Sequence, residues 1–164
     1  MTDESSLKAL SQALKLEQEG RAFYLQAAEE TLDEKGKRTF LSLAADEERH
    51  AEMVQRQLHE IGGGGSYALL PDIDATDIDL DGKLFPPERA QVEARIGRNP
   101  NELEAIHVAL ENEIRSYDLY RAAAKETESA AGQQMYRWLA SAEMTHFNLL
   151  MSNYESIVSL GGWV

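Results

Sequence analysis

The sequence predicts an all-α fold: a four-helix bundle made of two helical hairpins joined by a long crossover. Three observations predict it. Four long segments carry apolar residues at helical spacing, two of the three gaps between them are short, and the second hairpin repeats the first in register. The domain organisation follows as one unit over residues 1–164, with a hairpin over about 5–61, a crossover over about 62–98 and a hairpin over about 99–160.

The first segment, about Ser5 to Asp33, has Leu7, Leu10, Leu14, Glu17, Arg21, Tyr24, Ala28 and Thr31 stepping by threes and fours. Gly36 marks the turn. The second segment places Phe40, Leu43, Glu47, His50, Val54, Leu58 and Ile61 on one stripe and ends at Gly62-Gly63-Gly64-Gly65, a strong stop. The third opens at Asn99-Pro100-Asn101-Glu102, with Asn99 suited to an N-cap and Pro100 to the first helical position. Its stripe holds Leu103, Ile106, Leu110, Glu113, Tyr117, Tyr120 and Ala124. After a turn at Gly132, the fourth carries Met135, Leu139, Glu143, His146, Leu150 and Ile157, and stops at Gly161-Gly162. The crossover is too long for a plain loop, and Pro86 through Ile96 suits a short helix within it.

Residues 13–50 align with 109–146 at an offset of 96 without gaps. Identical pairs include Leu14/Leu110, Glu17/Glu113, Tyr24/Tyr120, Ala28/Ala124, Thr31/Thr127, Gly36/Gly132, Leu43/Leu139, Glu47/Glu143 and His50/His146. Each hairpin therefore carries a Glu on its first helix and a Glu-x-x-His on its second. In Glu-x-x-His the two side chains share one helix face. All six residues lie on the apolar stripes, so face-to-face packing of the hairpins would converge four Glu and two His at mid-bundle.

Four ionised carboxylates in a core would repel one another and lose their hydration. Two divalent cations cancel four negative charges and leave both His neutral. Oxygen and nitrogen ligands without sulfur suit iron or manganese, and zinc also binds such sets. A metal-free bundle with a polar seam is the bland alternative, and the cost of burying unpaired carboxylates weighs against it.

This pattern, with EQEGRAFYLQAAEE and ADEERHAEM in the first half and ALENEIRSY and SAEMTH in the second, resembles the rubrerythrin family of the ferritin-like di-iron carboxylate superfamily. The resemblance covers both hairpins. It implies a ferritin-like bundle with a di-iron centre: Glu47 and Glu143 bridging the metals, Glu17 and Glu113 terminal, His50 and His146 each on one iron. Tyr24 and Tyr120, seven residues after Glu17 and Glu113, would orient ligands or simply pack. Two departures matter. Where rubrerythrins typically carry an extra Glu three residues after the third-helix ligand, this chain has Ser116, whose counterpart is Gly20. That symmetrical set is closer to bacterioferritin. Rubrerythrins also typically end in a Cys-bound rubredoxin domain, whereas this chain has no Cys, so a separate electron-donor protein is expected.

The activity the resemblance implies is peroxidase or ferroxidase: ferrous/ferric cycling that reduces hydrogen peroxide or dioxygen. Iron storage, a di-manganese catalase and a di-iron oxygenase are the alternatives on the same fold. SLGGWV is too short for the fifth helix of a ferritin cage, and a homodimer is the expected assembly.

Composition narrows the remaining classes. A net charge of −13, from 29 acidic and 16 basic residues, opposes nucleic acid and anionic membrane as partners. The absence of Cys excludes thiol catalysis, iron–sulfur clusters and disulfides. No apolar run approaches the ~20 residues of a membrane span, and the N-terminal stretch does not read as a signal peptide, so a cytoplasmic location is expected.

Several other residues read as ordinary. Glu19, Glu48 and Glu111 break the repeat register and are expected on the surface, as are Asp46, Arg49 and Glu52. His59 and His107 have no repeat partner, and Trp138 and Trp163 are expected to pack. In the crossover, Asp77, Asp79, Asp81, Gly82 and Glu88 match the EF-hand calcium-loop spacing. Pro71 and its surroundings supply no entering helix and Pro86-Pro87 stiffens the exit, so a solvated acidic loop competes with a calcium site there.

Overall fold

The structure, a computed structural model, describes residues 3–88 and 100–164. It has four helices: α1 (Asp3–Glu30), α2 (Glu34–Gly62), α3 (Pro100–Glu126) and α4 (Ala130–Leu160), with no strand among the described residues. α1 packs on α2, α3 on α4, and α1 on α3, which makes an all-α four-helix bundle of two hairpins. The part of the predicted crossover helix beyond Glu88, and the predicted Asn99 cap, lie outside the described residues. None of the described helices is long and apolar enough to cross a membrane.

The hairpin turns sit before the glycines, not at them. α1 stops at Glu30 instead of running to Asp33. Asp33 is instead the N-cap of α2, its carboxylate accepting from the Lys35 and Gly36 amides at 2.8 and 3.1 Å. Ser129 caps α4 in the same way, accepting from the Gly132 amide at 3.2 Å. An oxygen-bearing side chain at that position satisfies amides that have no partner within the helix. Gly36 and Gly132 therefore lie inside first helical turns, and both are buried there.

What they leave room for is an aromatic ring. A Cβ on Gly36 would lie 2.5 Å from Trp163 Cε2, and one on Gly132 would lie 3.1 Å from the Tyr67 ring. Tyr67 and Trp163 are themselves 96 residues apart, so the repeat continues beyond the helices. Each ring follows one hairpin and seals the turn of the other. The segments carrying them are held by a second repeated pair. Gln57 accepts from Ala68 N at 2.8 Å and donates to Ala68 O at 2.9 Å, while Asn153 Oδ1 accepts from Val164 N at 3.1 Å.

α2 ends where predicted, at the glycine run, with the Gly63 amide donating to His59 O at 3.0 Å. α4 ends at Gly161, whose φ of +81° is the left-handed conformation that glycine adopts without penalty.

The apolar interior forms two clusters. One is built on Tyr24, Phe40, Leu43, Leu110, Leu150 and Ile157. The other is built on Leu10, Val54, Tyr120, Met135, Tyr136 and Leu139. Each fully buried Leu, Ile or Phe contributes about 1.5–3 kcal/mol. Along α1, Glu17 falls between residues of the two clusters, Ala13 and Tyr24, and Glu113 falls likewise between Leu110 and Tyr117 on α3. The two clusters thus leave a polar layer at mid-bundle.

Candidate metal centre

Helical spacing fixes what fills that layer. Glu17 on α1, Glu47 and His50 on α2, Glu113 on α3, and Glu143 and His146 on α4 all point inward, none more than 4% exposed. They form two overlapping quartets. Glu17, Glu47, His50 and Glu143 each offer one atom within 4.8 Å of the others, and so do Glu47, Glu113, Glu143 and His146. Glu47 and Glu143 belong to both quartets. Glu17 with His50 and Glu113 with His146 are the unshared pairs. The two imidazoles lie nearly parallel, 5.5 Å apart.

Each of the six side chains has one buried polar atom with no hydrogen-bond partner: Glu17 Oε2, Glu47 Oε1, His50 Nδ1, Glu113 Oε2, Glu143 Oε1 and His146 Nδ1. These atoms are close without being bonded. His50 Nδ1 is 3.0 Å from Glu143 Oε1 and 3.3 Å from Glu17 Oε2. His146 Nδ1 is 3.2 Å from Glu47 Oε1 and 3.5 Å from Glu113 Oε2. A buried polar atom without a partner costs ~1–3 kcal/mol, more when charged. Six of them converging in one layer is the arrangement a pair of cations relieves. The donor set therefore fits a dimetal site.

The electrostatics agree. Burial pushes Glu143 well above the ordinary carboxylate range, reinforced by repulsion from Glu47, Glu17 and Glu113. Burial raises Glu47 as well, with Glu17 adding to the effect. Burial alone would raise Glu17, but the neighbouring Glu47 and His50 side chains, with Tyr120, outweigh it and leave Glu17 lowered. His146 is pushed up to about 10: burial opposes its charge, and Glu113 and Glu47 favour it more strongly. This is the signature of excess negative charge held in a small volume.

The second oxygens of the unshared carboxylates are held by the two tyrosines. The Tyr24 hydroxyl donates to Glu113 Oε1 and the Tyr120 hydroxyl donates to Glu17 Oε1. Each tyrosine thus serves the carboxylate of the opposite hairpin, although it lies on the same helix as the other one. Burial, then the nearby carboxylates, raise both phenols well above their ordinary value, so both remain donors.

Asp46 corrects the expectation of a solvated residue. Its Oδ2 lies 3.1 Å from His146 Nε2, and its Oδ1 pairs with Arg49. The repeat test passes over it because its counterpart is Ala142. Of the remaining neighbours, Glu19 and Glu48 are exposed and Glu111 is half-buried, and Trp163 packs edge-on against Phe40. His107 is buried against its own helix neighbour Glu111, with Nε2 3.2 Å from that carboxylate.

The acids of the crossover loop make contacts of their own. Asp77, Asp79, Asp81 and Glu88 form no convergent group, whereas the six mid-bundle residues do. Asp81 pairs with Lys125, and Asp79 Oδ1 accepts from the Asp81 amide at 2.9 Å. Arg121 donates to the carbonyls of Leu80 and Gly82, and the Tyr117 hydroxyl donates to Gly82 O at 3.2 Å. Lys125 thus pairs with one carboxylate of the calcium spacing, while Arg121 and Tyr117 tie the backbone of the loop to α3.

A cavity of about 90 Å³ reaches the cluster from the side of α1 and α3, bordered by Gly20, Tyr24, Glu47, Glu113, Ser116 and Glu143. A Cβ on Gly20 would come within 3.4 Å of Glu47 Oε2. Ser116, the position that departs from the rubrerythrin pattern, and its repeat counterpart Gly20 both line it.

A family model described as Rubrerythrin matches residues 8–154, a span that contains all six cluster residues and both tyrosines. No curated protein and no solved structure matches the chain. With that match spanning all but the ends of its 164 residues, the chain belongs to the Rubrerythrin family.

Proposed function

We propose that this protein is a di-iron oxidoreductase that reduces hydrogen peroxide or dioxygen while its iron passes between the ferrous and ferric states. The observation that carries the reading is the set of six buried, unpartnered ligand atoms at mid-bundle. Glu47 and Glu143, shared by both quartets, would bridge the ions. Glu17 with His50, and Glu113 with His146, would complete each coordination sphere. Four carboxylates balance two divalent cations. When bound, the iron pair supplies the electrons for cleaving or reducing an O–O bond.

The protein's own groups do the rest. Tyr120 and Tyr24 fix one oxygen of Glu17 and Glu113, leaving the other to face the centre. Apolar clusters on both sides of the layer restrict water. The cavity at Gly20 and Ser116 admits a molecule of the size of dioxygen or peroxide, which favours these over the bulky substrate of an oxygenase. With no Cys in the chain, re-reduction draws on a separate donor protein.

The test is anaerobic loading of metal-free protein with ferrous iron, followed by peroxide. We expect two irons bound per chain, a ferric absorption in the near-ultraviolet and visible, and one peroxide consumed per two ferrous ions oxidised. Failure to bind iron, or unchanged spectra after peroxide, refutes the reading. Binding of manganese in place of iron, with oxygen evolved from peroxide, would favour a catalase.

A further inference from the structure

The two halves of the centre match in every ligand but not in what stands behind the histidines. His146 Nε2 lies 3.1 Å from Asp46 Oδ2, and Asp46 is in turn held by Arg49. The residues equivalent to Asp46 and Arg49 on the other hairpin are Ala142 and Thr145. Among the described residues, no side chain accepts from His50 Nε2. The His50 ring instead packs edge-to-face with Trp138 at 5.6 Å, a residue whose repeat counterpart is Ser42. Asp46, Arg49, His50, Trp138 and His146 all border one open cavity of about 310 Å³, so solvent reaches this outer side of the histidines.

We infer that Asp46 is a positioning residue that makes the two metal positions unequal, the one completed by His146 being the tight position and the one completed by His50 the exchangeable one. The inference rests on the dinuclear reading above. Its physical basis is the tautomer. An N–H on Nε2 donating to a carboxylate leaves the lone pair on Nδ1, the atom that faces the cluster, and fixes the ring plane. It also makes Nδ1 a better donor to a cation. His50 has no such partner, so it must select its tautomer and orientation at the moment of binding. Removing such a carboxylate from a metal-bound imidazole typically costs about 10–100-fold in affinity. The two positions should differ by a factor in that range.

Cobalt(II) tests this without turnover. Calorimetric and visible titration of metal-free protein should resolve two ions per chain, with affinities about 10–100-fold apart. In the two-cobalt protein, proton NMR should show one shifted imidazole N–H in slow exchange with water, from His146, and one in fast exchange, from His50. Asp46→Ala should weaken only the tighter step and move the slow N–H to fast exchange. Asp46→Asn, which keeps an acceptor oxygen but not the charge, should fall between. Binding of fewer than two ions would overturn the dinuclear reading itself. Two ions bound with equal affinity, or an Asp46→Ala variant that weakens both steps alike or neither, would leave that reading standing and overturn this inference.

Discussion

Removing a buried charge from the centre should strengthen the metal-free protein and weaken the metal-loaded one. Glu143 is the residue to change, because it is 1% exposed and faces three other carboxylates. In the metal-free protein at neutral pH it must either stay ionised against them or take a proton. Protonating it at pH 7, from the ordinary value of 4.5, costs about 3 kcal/mol at ~1.4 kcal/mol per pH unit, which bounds the penalty. Glu143→Gln removes that penalty and keeps the shape. It leaves an amide imperfectly partnered, at a cost of ~1 kcal/mol. The metal-free variant should therefore gain about 2 kcal/mol over metal-free wild type, or ~4–8 °C in Tm. Saturating metal should then stabilise wild type by about 3 kcal/mol or more at a hundredfold excess over Kd, and the variant by much less. Urea and thermal unfolding, each with chelator and with ferrous iron or cobalt(II), give the four stabilities. If metal-free Glu143→Gln is no more stable than metal-free wild type, the account of the layer as crowded negative charge is wrong.

The pH dependence of the metal-free protein follows from the same charges. Glu47 and Glu143 are raised and His146 is raised to about 10, so the folded state holds protons that the unfolded chain has released. Stability should fall as pH rises, from above 4.5 for the two raised carboxylates and between 6.5 and about 10 for His146, by up to ~1.4 kcal/mol per pH unit for each group titrating, while Glu17, which is lowered, loses its contribution only in acid. Urea midpoints between pH 6 and 10 check the sign, and metal should reverse it because its ligands must lose their protons. Tyr24→Phe should weaken the position containing Glu113, and Tyr120→Phe the one containing Glu17, each by about tenfold in a metal titration. Gly36→Ala should lower Tm by several degrees, since its methyl would overlap Trp163 and overpacking costs ~1–3 kcal/mol; Gly132→Ala, with 3.1 Å available, should cost less.

The repeat made most of this centre legible. A ligand that recurs at an offset of 96 on an apolar stripe must point inward in both halves, and all six such residues do. The helix ends at the glycine run and at Gly161 were also readable, because these stops depend on local backbone geometry. What escaped depends on contacts between elements. Asp46 was hidden because it breaks the repeat, and because its partner His146 is on another helix. The tyrosines' crossing to the opposite hairpin is set by interhelical distance, which helical spacing does not encode. Gly36 and Gly132 suggested turns because glycine often makes them. Their actual role is to admit a ring from a segment far along the chain, and only the packed structure reveals that partner. The crossover acids fit a calcium spacing, and the contacts that Lys125, Arg121 and Tyr117 on α3 make with that loop are not encoded in the spacing.

The exchange of aromatic rings between hairpins bears on how the protein opens. Tyr67, leaving α2, covers the start of α4, and Trp163, leaving α4, covers the start of α2. Neither hairpin can separate without uncovering the other's turn as well as its own share of the carboxylate layer. Local unfolding should therefore stop short of the hairpin: fraying can begin at helix ends, but release of either pair of helices engages the whole bundle. Amides near Gly36 and near Gly132 should then exchange with solvent through one shared opening, at one common free energy.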